Sequence, residues 1–178
     1  YGQGVRPENQ KQAGELAGKY KGDRALFRQR LLAGLSAAVG HKKVDGEKIV
    51  AIGYCFGGTG VIELARTGAE VKGVVSFHGG LDSPTPDDGK KIGAKVLALH
   101  GADDPYVPAD ELADFEGEMR EHDVDWQLIK YGNAVHSFTQ PMAGDDNSKG
   151  AAYNRDADHR SWQDMKQFIA ESLDSSSR

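Results

Sequence analysis

Residues 48–67 read KIVAIGYCFGGTGVIELART, and the reading of this stretch decides the fold. Ile49, Val50, Ala51 and Ile52 form a short apolar, largely β-branched run, the pattern of a strand buried on both faces. Gly53, Tyr54, Cys55, Phe56, Gly57 and Gly58 follow, and then Val61, Ile62, Leu64 and Ala65 supply the apolar face of a helix. A strand that turns at once into a helix, with a nucleophile between glycines two residues to either side, is a G-x-Nuc-x-G elbow carrying cysteine where serine usually stands. Gly53 and Gly57 suit a turn this tight, because a Cβ at either place is expected to collide with strand and helix. The thiol is thereby lifted over the carboxyl edge of the sheet. An isolated cysteine is most often a small buried hydrophobe. Here the strand, the helix start and the glycines argue for a presented nucleophile instead, and the unpaired amides and dipole of the helix start favour thiolate. The N–H of Phe56 is placed to receive a substrate oxyanion.

Outward from the elbow, the chain alternates helix and strand. Residues 1–5 read as a loop, 7–20 as a polar helix, and 24–39 as a stronger one capped by Asp23, with Phe27, Leu31 and Leu35 on one face and Gly40 at its end. After the elbow helix stops at Gly68, residues 71–77 (VKGVVSF) form a second buried strand, followed by His78-Gly79-Gly80 and a polar loop over 81–91. Residues 95–100 (KVLALH) are a third strand, ending in Gly101-Ala102-Asp103-Asp104-Pro105. Residues 108–122 form an amphipathic helix with Leu112, Phe115 and Met119 inward, and 124–131 a fourth strand nearer the sheet edge. A loop then carries His136, and Asn154 or Asp156 opens a last helix with Trp162, Met165 and Ile169 as its buried stripe. The serine-rich end, 174–178, is expected to fray. This order predicts an α/β protein, a three-layer sandwich around a mostly parallel sheet. Ligands of such sheets bind beyond the carboxyl ends of the strands, where Cys55, Asp104 and His136 all fall.

Composition narrows the function. At 178 residues the chain is a single domain with enough length for a core, and no apolar run approaches a membrane span. A net charge of −5 argues against nucleic acid as partner. A single cysteine excludes an internal disulfide framework and fits a reducing, cytoplasmic setting, and no apolar signal core opens the sequence. The six histidines are scattered with no spacing for structural zinc, so no metal is expected.

Thiol attack on a carbonyl needs a thiolate, a base that takes and returns a proton, and a group that orients the base. Cys55, His136 and Asp104 can fill those roles, and their chain order, nucleophile then acid then histidine, is that of α/β-hydrolases. His78 and His100 also end strands next to glycines, where pocket-shaping is the expected role, and Tyr54 and Phe56 are expected to pack the elbow.

Through Gly53-Tyr54-Cys55-Phe56-Gly57-Gly58, Gly101-Ala102-Asp103-Asp104-Pro105-Tyr106-Val107-Pro108 and His136-Ser137-Phe138, the chain resembles the dienelactone hydrolase family of the α/β-hydrolase fold. The likeness extends to Gly150-Ala151-Ala152-Tyr153-Asn154 and the Trp162 helix. It implies a cofactor-independent hydrolase of small-molecule esters or lactones, with Cys55 as nucleophile, His136 as base and Asp104, rather than Asp103, as its partner. Tyr54, His78, Tyr106 and Phe138 become candidate pocket residues. Two departures stand out. Members acting on dienelactone carry an arginine four residues after the histidine; Gln140 stands there and offers no bidentate charged fork, which counts against dienelactone itself. Similar proteins also have several strands, a second oxyanion donor and a proton-managing glutamate ahead of the point where Tyr1 stands. The resemblance therefore implies the C-terminal part of an α/β-hydrolase fold, with the first strand left as a sheet edge that a missing N-terminal segment or a second copy would cover. Loss of an oxyanion donor costs on the order of 100- to 1,000-fold in turnover. The alternative class is a non-catalytic, thiol redox-sensing protein on the same scaffold. A nucleotide-binding module is disfavoured, because residues 53–60 lack G-x-G-x-x-G spacing.

Overall fold

The computed structural model describes residues 4–174. Residues 1–3 of the expected N-terminal loop and residues 175–178 of the serine-rich end lie outside the described residues. The chain forms two compact units, Tyr1–Gly46 and Glu47–Arg178. The first holds helices α1 (Gln10–Gly22) and α2 (Arg24–Val39), with the rings of Tyr20 and Phe27 6.0 Å apart. Helix α1 starts later than the sequence suggests because Asn9, not the region of Pro7, is the cap: its side chain accepts from the N–H of Gln12 at 3.0 Å. Asp23 caps α2 as expected, accepting from the N–H of Leu26 at 2.9 Å.

The second unit carries strands β1 (Val50–Tyr54), β2 (Gly73–Phe77), β3 (Lys95–Gly101) and β4 (Trp126–Tyr131), all parallel and paired in the order β1-β2-β3-β4. Helix α3 (Phe56–Arg66) joins β1 to β2, α4 (Ala109–Glu121) joins β3 to β4, and α5 (Arg155–Leu173) follows β4. Consecutive strands are sheet neighbours throughout. Parallel pairing forces each connection to return along a face of the sheet: α3 and α4 do so after β1 and β3, and between β2 and β3 the chain returns through a loop with the 3-10 turn Pro86–Lys91. Val75, Phe77, Leu97, Leu99, Tyr131, Met165 and Phe168 pack into one core beneath α5. On α4 the expected Leu112, Phe115 and Met119 are buried.

Two expectations are corrected. Strand β1 is not buried on both faces, as its apolar run suggests, but is the sheet edge that the resemblance implies: Ile52 is 42% exposed and Tyr54 is likewise exposed, while β2 and β3 take the buried centre. An apolar run alone does not distinguish centre from edge. On α5 the buried stripe is Ala157, Ser161, Met165, Phe168 and Ser172, and Trp162 is 50% exposed. The helix is rotated so that small serines approach the sheet; Gly73 lies where any Cβ would meet the Phe168 ring at 2.9 Å and the Ser172 hydroxyl at 3.0 Å. A Trp in that stripe would not fit so close a contact.

A buried ionic cluster ties α3 to α4. Arg66 reaches Glu63 at 2.8 Å and both carboxylate oxygens of Glu118 at 3.0 and 2.5 Å, and donates to the carbonyls of Leu81 and Asp82. Every guanidinium edge is thus matched, which makes burial of the charge tolerable.

Candidate active site

Cys55 stands between β1 and α3 with φ 49° and ψ −120°, a conformation that L-residues avoid. Its carbonyl accepts from the amides of Gly58 and Thr59, and its N–H donates to the Phe77 carbonyl at 3.0 Å, so both ends of the strained residue are pinned. The steric demand is only partly where the spacing puts it. A Cβ on Gly53 would fall inside the Gly57 carbonyl group and 2.7 Å from the Gly58 nitrogen. On Gly57 a Cβ would meet nothing within 4 Å. The second crowded position is Gly58, whose Cβ would meet the Ser76 hydroxyl at 2.6 Å and Gly79 Cα at 2.9 Å. Close approach of α3 to β2, rather than the turn itself, makes that glycine necessary.

Asp104 and His136 come together from the loops after β3 and β4. His136 Nδ1 and Asp104 Oδ2 are 2.9 Å apart, and Asp104 Oδ1 accepts from the N–H of Tyr106 at 2.9 Å, so both oxygens of this buried carboxylate are occupied. The backbone of His136 bridges to the 150–152 segment through its N–H to Gly150 and its carbonyl to the N–H of Ala152. Gly101 permits the two loops to meet, since a Cβ there would lie 2.6 Å from the Ala134 carbonyl oxygen and 2.7 Å from that of Val135.

The sulfur of Cys55 faces three partners. Nδ1 of His78 lies 3.4 Å away, the Ser137 hydroxyl lies 3.5 Å away, and the sulfur and one ring nitrogen from each of His78 and His136 lie within 4.8 Å of one another. His78 is buried with φ 39°; its N–H donates to the Leu99 carbonyl and its Nε2 sits 2.8 Å from the Thr139 hydroxyl. Register explains the pairing of Cys55 with His78: Tyr54 is opposite Phe77, so the residues one step beyond are neighbours. Nothing in the sequence marks the hydroxyls of Ser137, also at positive φ, and Thr139 as neighbours of this cluster, because both come from the loop after β4, three strands along the sheet from β1.

The candidate pocket residues separate. Tyr54 stacks on Phe77 at 4.5 Å with its outer face exposed. Tyr106 is 60% exposed and sets its ring edge-on to His136 at 5.3 Å. Phe138 is wholly buried, edge-on to His78 at 5.0 Å and packed against Tyr131, so it holds His78 from behind. His100 is buried, and burial lowers its pKa.

Electrostatics favour a charge-separated pair. Burial pushes the Cys55 thiol up, but hydrogen bonds from His136 and His78 outweigh it and bring the pKa down to about 5. Burial pushes His136 down, and the bond to Asp104 with the neighbouring sulfur outweighs it, raising the pKa to about 9. Between those values the pair is thiolate and imidazolium.

A parallel sheet with helices on both faces, and with cysteine, aspartate and histidine brought together beyond its carboxyl edge, defines an α/β-hydrolase. A family model described as the dienelactone hydrolase family matches residues 1–173, and the chain belongs to that family. It is 33% identical over 152 residues to an uncharacterised Caenorhabditis elegans protein, covering 83% of this chain and 94% of that protein. A Saccharolobus solfataricus protein named as a candidate carboxymethylenebutenolidase is 31% identical over 69% of this chain, which spans 44% of that relative's length. Among solved structures, a dienelactone hydrolase-like promiscuous phosphotriesterase from metagenomic libraries matches with TM-score 0.84 at 43% identity, covering 90% of this chain and 67% of the other. A structure named m3DLH matches with TM-score 0.92 at 39% identity, covering 98% and 72%.

Proposed function

We propose that this chain hydrolyses carboxylic ester or lactone bonds with Cys55 as nucleophile, His136 as proton carrier and Asp104 as the group that positions His136. The observation that carries the reading is the 2.9 Å contact of His136 Nδ1 with buried Asp104, made where a ring nitrogen of His136 lies within 4.8 Å of the elbow sulfur. With Nδ1 taken by the carboxylate, Nε2 is the ring atom left to exchange protons near the sulfur.

The thiolate attacks the carbonyl carbon, and the carbonyl electron pair moves to oxygen, where the N–H of Phe56 at the start of α3 receives the charge. Collapse breaks the acyl C–O bond, the leaving oxygen takes the proton from His136 Nε2, and a thioester remains on Cys55. For a lactone the leaving hydroxyl stays tethered to the acyl chain. Water then gives a proton to Nε2 as its oxygen attacks the thioester; the second collapse expels thiolate and releases the acid, restoring the starting pair.

The name of the Saccharolobus relative supports a lactone-class substrate, and Gln140, exposed after Thr139, supplies no cationic grip for a substrate carboxylate. A chromogenic acetate ester tests the reading. A burst of product equal to the protein present is expected, lost in Cys55→Ala and in His136→Ala. Turnover that survives Cys55→Ala overturns the mechanism.

A further inference from the structure

The Cys55 sulfur stands among two imidazoles, and each imidazole has its far nitrogen fixed by an oxygen. His136 Nδ1 is held by the Asp104 carboxylate at 2.9 Å, and His78 Nε2 by the Thr139 hydroxyl at 2.8 Å. These are the arrangements that orient metal-binding histidines, in which an outer oxygen fixes the tautomer and aims the remaining lone pair inward. The nitrogens left over, His78 Nδ1 and His136 Nε2, converge on a sulfur that is itself only partly covered. We propose that Cys55 Sγ, His78 Nδ1 and His136 Nε2 together bind a zinc-type divalent transition-metal ion, which switches the nucleophile off reversibly.

The geometry and ligand chemistry fit that class of ion. Zinc bonds of about 2.3 Å to sulfur and about 2.0–2.1 Å to nitrogen at tetrahedral angles place the donors about 3.3–3.6 Å apart. The sulfur to His78 Nδ1 separation is already 3.4 Å, and no donor pair of the three exceeds 4.8 Å. The largest adjustment is therefore about 1.5 Å, within the swing of the partly exposed His136 ring. One thiolate with two imidazoles suits zinc, cobalt(II) or copper rather than magnesium or calcium, and three protein ligands leave a fourth position for water. The rotatable Thr139 hydroxyl accepts from His78 Nε2–H in this state, which leaves Nδ1 unprotonated for the ion. The N–H of Cys55, 3.3 Å from that Nδ1, retains its 3.0 Å bond to the Phe77 carbonyl. The proton on His136 Nε2 passes to solvent as the ion binds.

While the ion is bound, the sulfur lone pair is committed to it and Nε2 carries no proton for a leaving group. Hydrolysis stops until a chelator or a competing thiol removes the metal. The inhibitory consequence rests on the hydrolase reading; the binding itself does not.

Titration of the chelator-stripped full chain with cobalt(II) tests it. One equivalent is expected to produce a thiolate-to-cobalt charge-transfer band in the near ultraviolet with the visible bands of a tetrahedral ion, both displaced by zinc. Cys55→Ala should abolish the charge-transfer band, His78→Gln should weaken binding at least 10-fold, and Thr139→Val, which removes only the outer oxygen, should weaken it about 10- to 100-fold. Zinc should also protect Cys55 from alkylation in the wild-type chain. A folded wild-type protein that gives no charge-transfer band overturns the proposal, as does an unchanged cobalt affinity in folded His78→Gln. The ester burst is run separately in chelator, so failure of the hydrolase reading and failure of the metal site register in different measurements.

Discussion

Replacing Gly53 with alanine should do far more damage than the same change at Gly57, although the two glycines flank Cys55 symmetrically in sequence. At Gly53 the new methyl would fall inside the Gly57 carbonyl group and 2.7 Å from the Gly58 nitrogen, all of it backbone at the first turn of α3. Relieving even the milder contact to a normal separation of about 3.5 Å requires a shift of about 0.8 Å, and the carbonyl requires more. Backbone of a helix start cannot swing aside as a side chain would, so β1 and α3 must part and carry the thiol with them. Overpacking of this kind costs about 1–3 kcal/mol, and a displacement of about 1 Å at a reacting atom costs about 100-fold in rate. At Gly57 the methyl meets nothing within 4 Å, and alanine gains up to about 1 kcal/mol of helix propensity over glycine. Urea unfolding of both variants, with the rate of Cys55 alkylation and kcat/KM on a chromogenic ester, reads both quantities. Gly53→Ala should unfold at lower urea with kcat/KM down about 100-fold, while Gly57→Ala should unfold at equal or higher urea. Equal behaviour of the two variants would refute the argument that the crowding at Gly53 forms the elbow.

Three further outcomes follow from the same geometry. The profile of kcat/KM against pH should be a bell, rising through about pH 5 as Cys55 ionises and falling through about pH 9 as His136 loses the proton destined for the leaving group. Asp104→Asn should retain the fold, lower kcat by about 100- to 10,000-fold, and move the alkaline limb below the wild-type value, because the Asp104 bond is what raises His136; an unmoved limb would detach Asp104 from His136. Arg66→Met should destabilise the protein by about 3–5 kcal/mol in urea unfolding, since it leaves Glu63 and Glu118 buried and facing each other without their cation, and a loss under about 1 kcal/mol would show that cluster to be dispensable.

Much of this was legible in the sequence because it is local. The elbow, the helix caps at Asp23 and Asn154, and the strand ends bearing Asp104 and His136 each depend on a few consecutive residues. What escaped depends on neighbours that the chain reaches only after folding. The apolar run 49–52 by itself reads as a strand buried on both faces, and only the resemblance marks β1 as the sheet edge it is; the exposure of Trp162 follows from the roll of α5, which is set by how near Gly73 lets Phe168 and Ser172 come. Gly58 is required because Ser76 and Gly79 press on it from β2 and the loop beyond, whereas Gly57, equally prominent in the motif, points into open space.

His78 is the most informative single residue. Its position at a strand end next to glycines reads as pocket-shaping, and parallel register brings it against the sulfur as well, because it makes strand-end residues neighbours by necessity. Tyr54 pairs with Phe77 and Phe77 with Leu99, so the next residues along, Cys55, His78 and His100, fall at one level across three strands. Burial then differentiates them. His100 is buried in β3 and has no hydrogen-bond partner on Nδ1 among the described residues, while His78 is turned by its positive φ toward the sulfur and anchored behind by Thr139 and Phe138. A strained backbone angle at a residue touching the nucleophile is a conformation that the surrounding packing must hold in place. The same constraint that exposes the Cys55 thiol therefore recurs one strand away, and it makes the sulfur's environment bidentate in nitrogen rather than a single cysteine and histidine pair.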